Sequence, residues 1–168
     1  FRILPRIDDG RSNKEELMSY VDALKNKGPK LASDSKYVWI EIENPKEPAW
    51  QTGNIIGTFS EKFYVLASNQ KNECMLKSTG KKPWKLTRAR PTIDQMGKRA
   101  IEFSFDEVGG SIFYNITRNN LQRPLCIILD NLALSAPNIR SEIRNNGIIE
   151  GSFSQTEQMD MVDKLNAG

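Results

Sequence analysis

The chemistry open to this chain is limited first by what its 168 residues omit: there is no histidine. The commonest general base and the commonest metal ligand are therefore absent. The candidate nucleophiles are two cysteines, Cys74 and Cys126. Two isolated thiols without histidine make no zinc site. Cys126 lies inside an apolar run and reads as a small hydrophobe, and a disulfide to Cys74 is open only in an oxidising compartment. Asp94, Glu102, Asp106 and Glu107 are the closest group of carboxylates. Asp106 reads as a helix cap and Glu102 as a solvent-facing strand residue, so the group reads as structural. Asp8-Asp9-Gly10 is acidic, but no calcium-loop ligand series follows it. Lys77-Ser78-Thr79-Gly80-Lys81 lacks both the leading glycine and the trailing hydroxyl of a phosphate loop. Asn115-Ile116-Thr117 matches a glycosylation acceptor but falls in a predicted helix. No catalytic residue, metal ligand or cofactor site is assigned, and no enzyme is expected.

Binding chemistry is the remaining possibility. Between Lys71 and Arg99 nine basic residues stand against Glu73 and Asp94, although the whole chain carries only +3. That stretch reads as a solvated basic face, with an anionic lipid or nucleic-acid surface as the alternative; no nucleic acid is expected as partner. Among the aromatics, Trp39 and Phe59 read as core. Trp50 and Trp84 sit in proline-flanked stretches and are candidates for an exposed apolar surface. Phe113 and Tyr114, on a glycine-softened helix, are further candidates for contact with a ligand.

These residues must be positioned by elements that the periodicities mark. Ser12-Asn13-Lys14-Glu15 reads as a capping box with Ser12 at the cap. Leu17, Tyr20, Val21 and Leu24 follow at helical spacing, and Gly28-Pro29 stops the helix, which predicts residues 14–27. Strands are expected at Tyr37 to Ile42 and Phe63 to Ala67, with a short one at Asn54 to Ile56 and a connection over 57–62. Residues 44–53 read as loop, and 68–85 carry no clear pattern. Ala100 to Phe105 alternates, with Ile101, Phe103 and Phe105 on one face. Asp106 caps a helix bearing Val108, Ile112, Phe113 and Ile116, weakened by Gly109-Gly110 by about 1 kcal/mol per glycine. Leu125 to Leu129 and Leu132 to Leu134 are apolar runs around Asp130-Asn131. They predict a hairpin with a positive-φ turn at Asn131, ended by Pro137. A strand at Ile148 to Phe153 and a second capping box, Ser154 to Glu157, precede a helix carrying Met161, Val162 and Leu165.

The order strand, helix, hairpin, strand, helix in the C-terminal half implies an α+β class, a mostly antiparallel sheet with helices packed on it. A soft boundary near Lys81-Lys82-Pro83 divides a strand-bearing part, 1–83, from a core, 84–168. Hydrophobic content of 38% and charged content of 27% suit a globular domain. No run approaches the roughly 18 apolar residues of a membrane span. Phe1 is no natural start, and the chain is expected to be part of a longer protein.

The C-terminal half resembles the SecD family, the accessory subunit of the bacterial protein-export translocon. Family members carry a segment close to "RRLAIVLDGKVISAP", then a glycine-rich strand, a phenylalanine, and a helix opening with Thr/Ser-x-x-Glu and closing in Ala-Gly. Here the matching residues are Arg123, Leu129, Asp130, Ser135, Ala136, Pro137, Gly151 and Phe153, followed by Ser154 to Glu157 and Ala167-Gly168. Leu86-Thr87-Arg88-Ala89-Arg90, Ala100 to Phe105 and Phe1-Arg2-Ile3-Leu4 are similar to further family segments. Asn131 replaces the family's turn glycine and Pro124 a usual arginine, while residues 5–83 look like a long insertion. The resemblance implies a periplasmic head region on the bacterial inner membrane, part of a proton-gradient-driven export subunit. Its partners would be unfolded preprotein and other Sec translocon subunits, SecF-like and SecY-like. A soluble adaptor sharing only the fold is the alternative reading.

Overall fold

The computed structural model describes residues 1–51, 53–75, 83–150 and 153–167, leaving aside the side chains of 48 and 49. The fragment Lys77 to Lys81 and Gly151 of the family-like motif lie outside the described residues. The chain forms two compact units: residues 1–74 with 122–139, and residues 75–121 with 140–168.

The first unit is a six-stranded sheet in the order β1-β7-β8-β2-β4-β3. Its strands are β1 (Arg2–Ile3), β2 (Tyr37–Ile42), β3 (Ile56–Phe59), β4 (Lys62–Ser68), β7 (Leu125–Leu129) and β8 (Leu132–Ser135). All neighbours pair antiparallel except β2 with β8, which run parallel. In β4 every residue from Tyr64 to Ser68 is buried, so both faces of the sheet are covered there. One face, with Tyr37, Trp39, Tyr64 and Leu66, packs on Leu17 and Leu24 of α1 (Lys14–Lys27). The other gathers Leu4, Ile42, Trp50, Val65, Cys126 and Ala133.

The cap of α1 differs from the expected one. Asn13, not Ser12, accepts from the Glu15 and Glu16 amides, at 2.9 and 3.2 Å. The Ser12 hydroxyl donates instead to Asp9, which holds the preceding loop. The β3–β4 hairpin also departs from expectation. Its turn is Ser60-Glu61, at φ of 51° and 66°, and β3 runs on to Phe59. Positive φ at two consecutive residues is the turn that matches strand twist, yet serine and glutamate do not announce it. At the β7–β8 turn, Asp130 and Asn131 have φ of 51° and 65°, as the Asp-Asn pair suggested.

The expected division near residue 83 placed this hairpin with the C-terminal core. It instead completes the first unit's sheet, between β1 and β2. The reason is burial. Leu125, Cys126 and Ile127 are consecutive and all buried, so β7 needs cover on both faces and a partner on both edges.

The second unit is a three-stranded antiparallel sheet, β5-β6-β9, with two helices. Its strands are β5 (Leu86–Ile93), β6 (Arg99–Phe105) and β9 (Asn146–Glu150); its helices are α2 (Glu107–Asn119) and α3 (Gln155–Ala167). The alternation of β6 holds: Ile101, Phe103 and Phe105 are buried and Glu102 faces outward, ion-paired to Arg90 at 2.7 Å. Asp106 caps α2 by accepting from Gly109 N–H at 2.8 Å. The second capping box is reciprocal: Ser154 N–H donates to Glu157 at 2.8 Å, and Glu157 N–H to the Ser154 hydroxyl at 3.1 Å. The whole is α+β with mostly antiparallel sheets, as the order of elements required.

The glycine pair in α2 is explained by close approach. A Cβ on Gly110 would run into Asn145 Oδ1 and stand 3.2 Å from the Arg144 carbonyl oxygen. Gly110→Ala should therefore lower stability by about 1–3 kcal/mol, although alanine is the better helix former. Urea unfolding of the full chain measures this, and an unchanged or raised midpoint would show that the neighbouring loop gives way freely.

Candidate functional site

The family-like motif positions converge on architecture rather than on a reactive centre. Arg123, just before β7, has a side chain only 8% exposed. Its guanidinium reaches Glu73 at 3.0 Å and Asp9 at 3.3 Å, tying together three distant stretches of the first unit. Asp9 is prepared for this by its own loop. It accepts from the N–H groups of Arg6, Arg11 and Ser12 at 3.0, 2.8 and 2.8 Å, and from the Ser12 hydroxyl at 3.0 Å. Burial pushes the Asp9 carboxyl up, but these hydrogen bonds outweigh it and hold the group below its ordinary value. The acidic turn noted in the sequence is thus half of a buried ion cluster. Among the described residues no three histidine, cysteine or carboxylate side chains converge as metal ligands.

The other motif residues serve the hairpin. Leu129 closes β7, Asp130 makes the turn with Asn131, and Ser135 closes β8. Ala136 packs against the cluster around Trp50. The Pro137 carbonyl accepts from Leu125 N–H at 2.8 Å after the regular ladder has stopped. Phe153 is half-buried ahead of α3.

Arg2 is the ladder partner of Cys126 in β7 and, across its other edge, of Cys74. Two strand spacings, roughly 9–10 Å, separate the cysteines, beyond disulfide reach, and both thiols are free. Burial pushes the Cys126 thiol up to about 12, so it is an inert core group.

The aromatic candidates divide. Phe113 has no exposed surface. Its ring stands edge-on to Phe103 at 5.5 Å and tilted on Phe105 at 4.9 Å, so it is core and not a contact for clients. Tyr114 is half-buried, its ring under the guanidinium of Arg144 at 4.6 Å and of Arg118 at 6.0 Å. Trp50 is buried, contrary to expectation, among Ile42, Val65 and Ala133. Trp84 is partly covered, edge-on to Phe105 at 5.7 Å.

The accessible apolar surface of the second unit lies elsewhere. Ile93 is 66% and Met96 81% exposed, at the tip of the β5–β6 hairpin. Asp94 builds that tip by accepting from Met96 and Lys98 N–H at 2.8 and 2.9 Å, with Gly97 at φ 78°. Its role is structural, as read from the sequence. Ile148, in β9, is 49% exposed. The only signal for the tip in the sequence is a turn pattern, Asp94 to Gly97, with methionine placed inside it.

The family model of the SecDF P1 head subdomain matches residues 60–168. The chain belongs to the SecDF P1 head subdomain family. The match opens at residue 60, inside the stretch 5–83 expected as an insertion. The chain is 40% identical over 84 residues to the protein translocase subunit SecD of Rickettsia conorii, covering 49% of this chain and 16% of that protein. It is 41% identical over 84 residues to SecD of Leptotrichia buccalis, covering 49% of this chain and 21% of that one. The chain thus spans about a fifth or less of these curated relatives. A solved structure of SecDF, described as a membrane component that enhances protein export, aligns with a TM-score of 0.46 at 18% identity. That alignment covers 100% of this chain and 94% of the other. No helix among the described residues is long and apolar enough to cross a membrane.

Arg123→Ala leaves Asp9 and Glu73 buried without their cation and should cost about 3–5 kcal/mol, whereas exposed Arg118→Ala should cost under about 1 kcal/mol. Chemical denaturation of both variants decides it, and equal small losses would show that the cluster is solvated. Acid sensitivity should follow from Asp9. Its folded-state value lies below the ordinary 3.8, so its contribution is complete above about pH 5 and is lost as pH falls through 3.8 and below. The melting temperature should hold from pH 7 to 5 and drop beneath pH 4. Asp9→Asn should flatten that drop, and an equally steep drop in the variant would place the acid sensitivity in other carboxylates.

Proposed function

We propose that this chain is a non-catalytic domain of a protein-export accessory subunit. It contacts translocating preprotein on the periplasmic side of the bacterial inner membrane, while the parent's membrane part draws on the proton gradient. The observation that carries the reading is the head-subdomain match over residues 60–168, together with the naming of the 40%-identical relatives as translocase subunits. Two features of the chain support it. The motif residues of the first unit are spent on structure, and no histidine is available anywhere for acid–base work. Among the exposed apolar residues, Met96 has the flexible side chain that suits many clients rather than one. The partners implied are unfolded preprotein and, through the parent, other Sec translocon subunits.

The test places a photo-crosslinking residue at position 96 of the membrane-embedded parent and arrests a preprotein in transit. Crosslinks should form from position 96 and not from buried position 113. Protease added to spheroplasts should remove the domain. A parent that resists external protease, or a second unit that yields no crosslink from 93, 96 or 114, would sink the reading.

A further inference from the structure

The sheet of the second unit treats its two edges differently. Phe105 N–H donates to the Asn145 carbonyl at 2.9 Å, so the β6–β9 ladder uses residues 145, 147 and 149 of the β9 side. By the same alternation β6 turns Ala100, Glu102 and Ser104 to β5, which leaves Ala89 and Pro91 of β5 pointing outward. That outer edge is closed. Pro91 has no N–H to offer. Ala89 N–H donates to Asn166 Oδ1 at 2.8 Å, and Asn166 Nδ2 donates to the Ala89 carbonyl at 2.9 Å. The amide of Asn166, on α3, thus occupies both main-chain groups as a neighbouring strand would.

The β9 edge carries no such closure. The main-chain N–H and C=O groups of Asn146, Ile148 and Glu150 face away from β6, and no backbone group among the described residues meets them. The strand has no proline and no lysine, the usual devices that discourage pairing. Its one acidic side chain, Glu150, is ion-paired with the exposed Arg140 at 3.0 Å. Ile148 offers an exposed apolar side chain beside the open groups. An alternating row of donors and acceptors about 17 Å long is complementary to another backbone and to nothing smaller.

We propose that the free edge of β9 is the docking site for an extended segment of unfolded polypeptide, added antiparallel or parallel as a fourth strand beyond Ile148. The occupant is recognised through its main chain, so its sequence is left nearly free, and β-branched or aromatic residues are favoured only opposite Ile148. The inference rests on the reading that the domain contacts unfolded preprotein, and it names the surface that does so.

The probe is a ten-residue peptide of alternating threonine and valine with terminal lysines, added to the full chain. Amide hydrogen exchange at Ile148 and Glu150 should slow at least about tenfold on saturation, while Ala89, already bonded, stays unchanged. Ile148→Pro removes the central outward donor without taking a bond from β6 and should weaken binding about tenfold or more. A peptide N-methylated at every residue, which has no main-chain donor on either edge, should fail to bind the unaltered chain, which keeps the test decisive even where the proline variant does not fold. Protection elsewhere in the chain with β9 unchanged, or equal binding of the N-methylated peptide, overturns the edge proposal and leaves the preprotein reading standing. No binding of unfolded peptide at any position overturns both.

Discussion

Everything in the first unit depends on one strand being buried on both faces. Leu125, Cys126 and Ile127 have no polar partner between them and no exposed side, so β7 is tolerable only in the interior of a sheet, paired to β1 on one edge and β8 on the other. That requirement accounts for the place of β7 between β1 and β8. It draws the chain's first residues in as an edge strand, and it brings β8 alongside β2 in the one parallel pairing. The second unit's first segment, residues 75–121, is therefore an excursion between β4 and β7. The sheet cannot close until a stretch more than fifty residues downstream of β4 has been made. Such long-range pairing is entropically costly and slow, which favours a sheet whose late strand brings a large apolar reward.

The buried ion cluster becomes intelligible beside this requirement. Arg123 stands at the point where the chain re-enters the first unit, and its partners come from the opening loop and from the point of departure, at Glu73. An ion pair removed from water contributes little or nothing to stability relative to a well-packed apolar group, but a mispaired one is expensive. Wrong registers of β7 would strand Asp9 and Glu73 without their cation. The cluster is thus satisfied in the native pairing, at the junction where the chain's connectivity is least local.

What was legible in the sequence follows from this distinction between local and long-range causes. Asp106, Ser154 with Glu157, and the Asp130-Asn131 turn were readable because a cap or turn is decided by residues three or four apart. Ser12 was misassigned because Asp9, on the other side of the cap, competes for its hydroxyl, and the competition is visible only in three dimensions. The Ser60-Glu61 turn was hidden because sheet pairing, not residue preference, holds its positive φ. Trp50 was read as exposed from its proline-flanked surroundings, but it packs among Ile42, Val65 and Ala133, and burial of an indole outweighs local propensity. Phe113 was placed rightly on the apolar stripe of α2 with Ile116, and it was the second role given to it, as a contact for clients, that its burial against the phenylalanines of β6 excludes.

The family resemblance and the surface chemistry then bear on function through different residues. The positions that carry the resemblance, from Arg123 to Pro137, hold the first unit's sheet together and are largely withdrawn from solvent. A surface for many unfolded clients has the opposite needs. It must be exposed, tolerant of sequence and free of a fixed partner, so it leaves only faint marks in any one sequence. On the proposed reading the second unit would meet those needs with main-chain groups and with a methionine at a hairpin tip, neither of which a motif can specify. Closing β5 with a proline and an asparagine while leaving β9 open also separates two hazards that a free sheet edge brings together. With β5 closed, pairing is confined to the β9 side of the sheet.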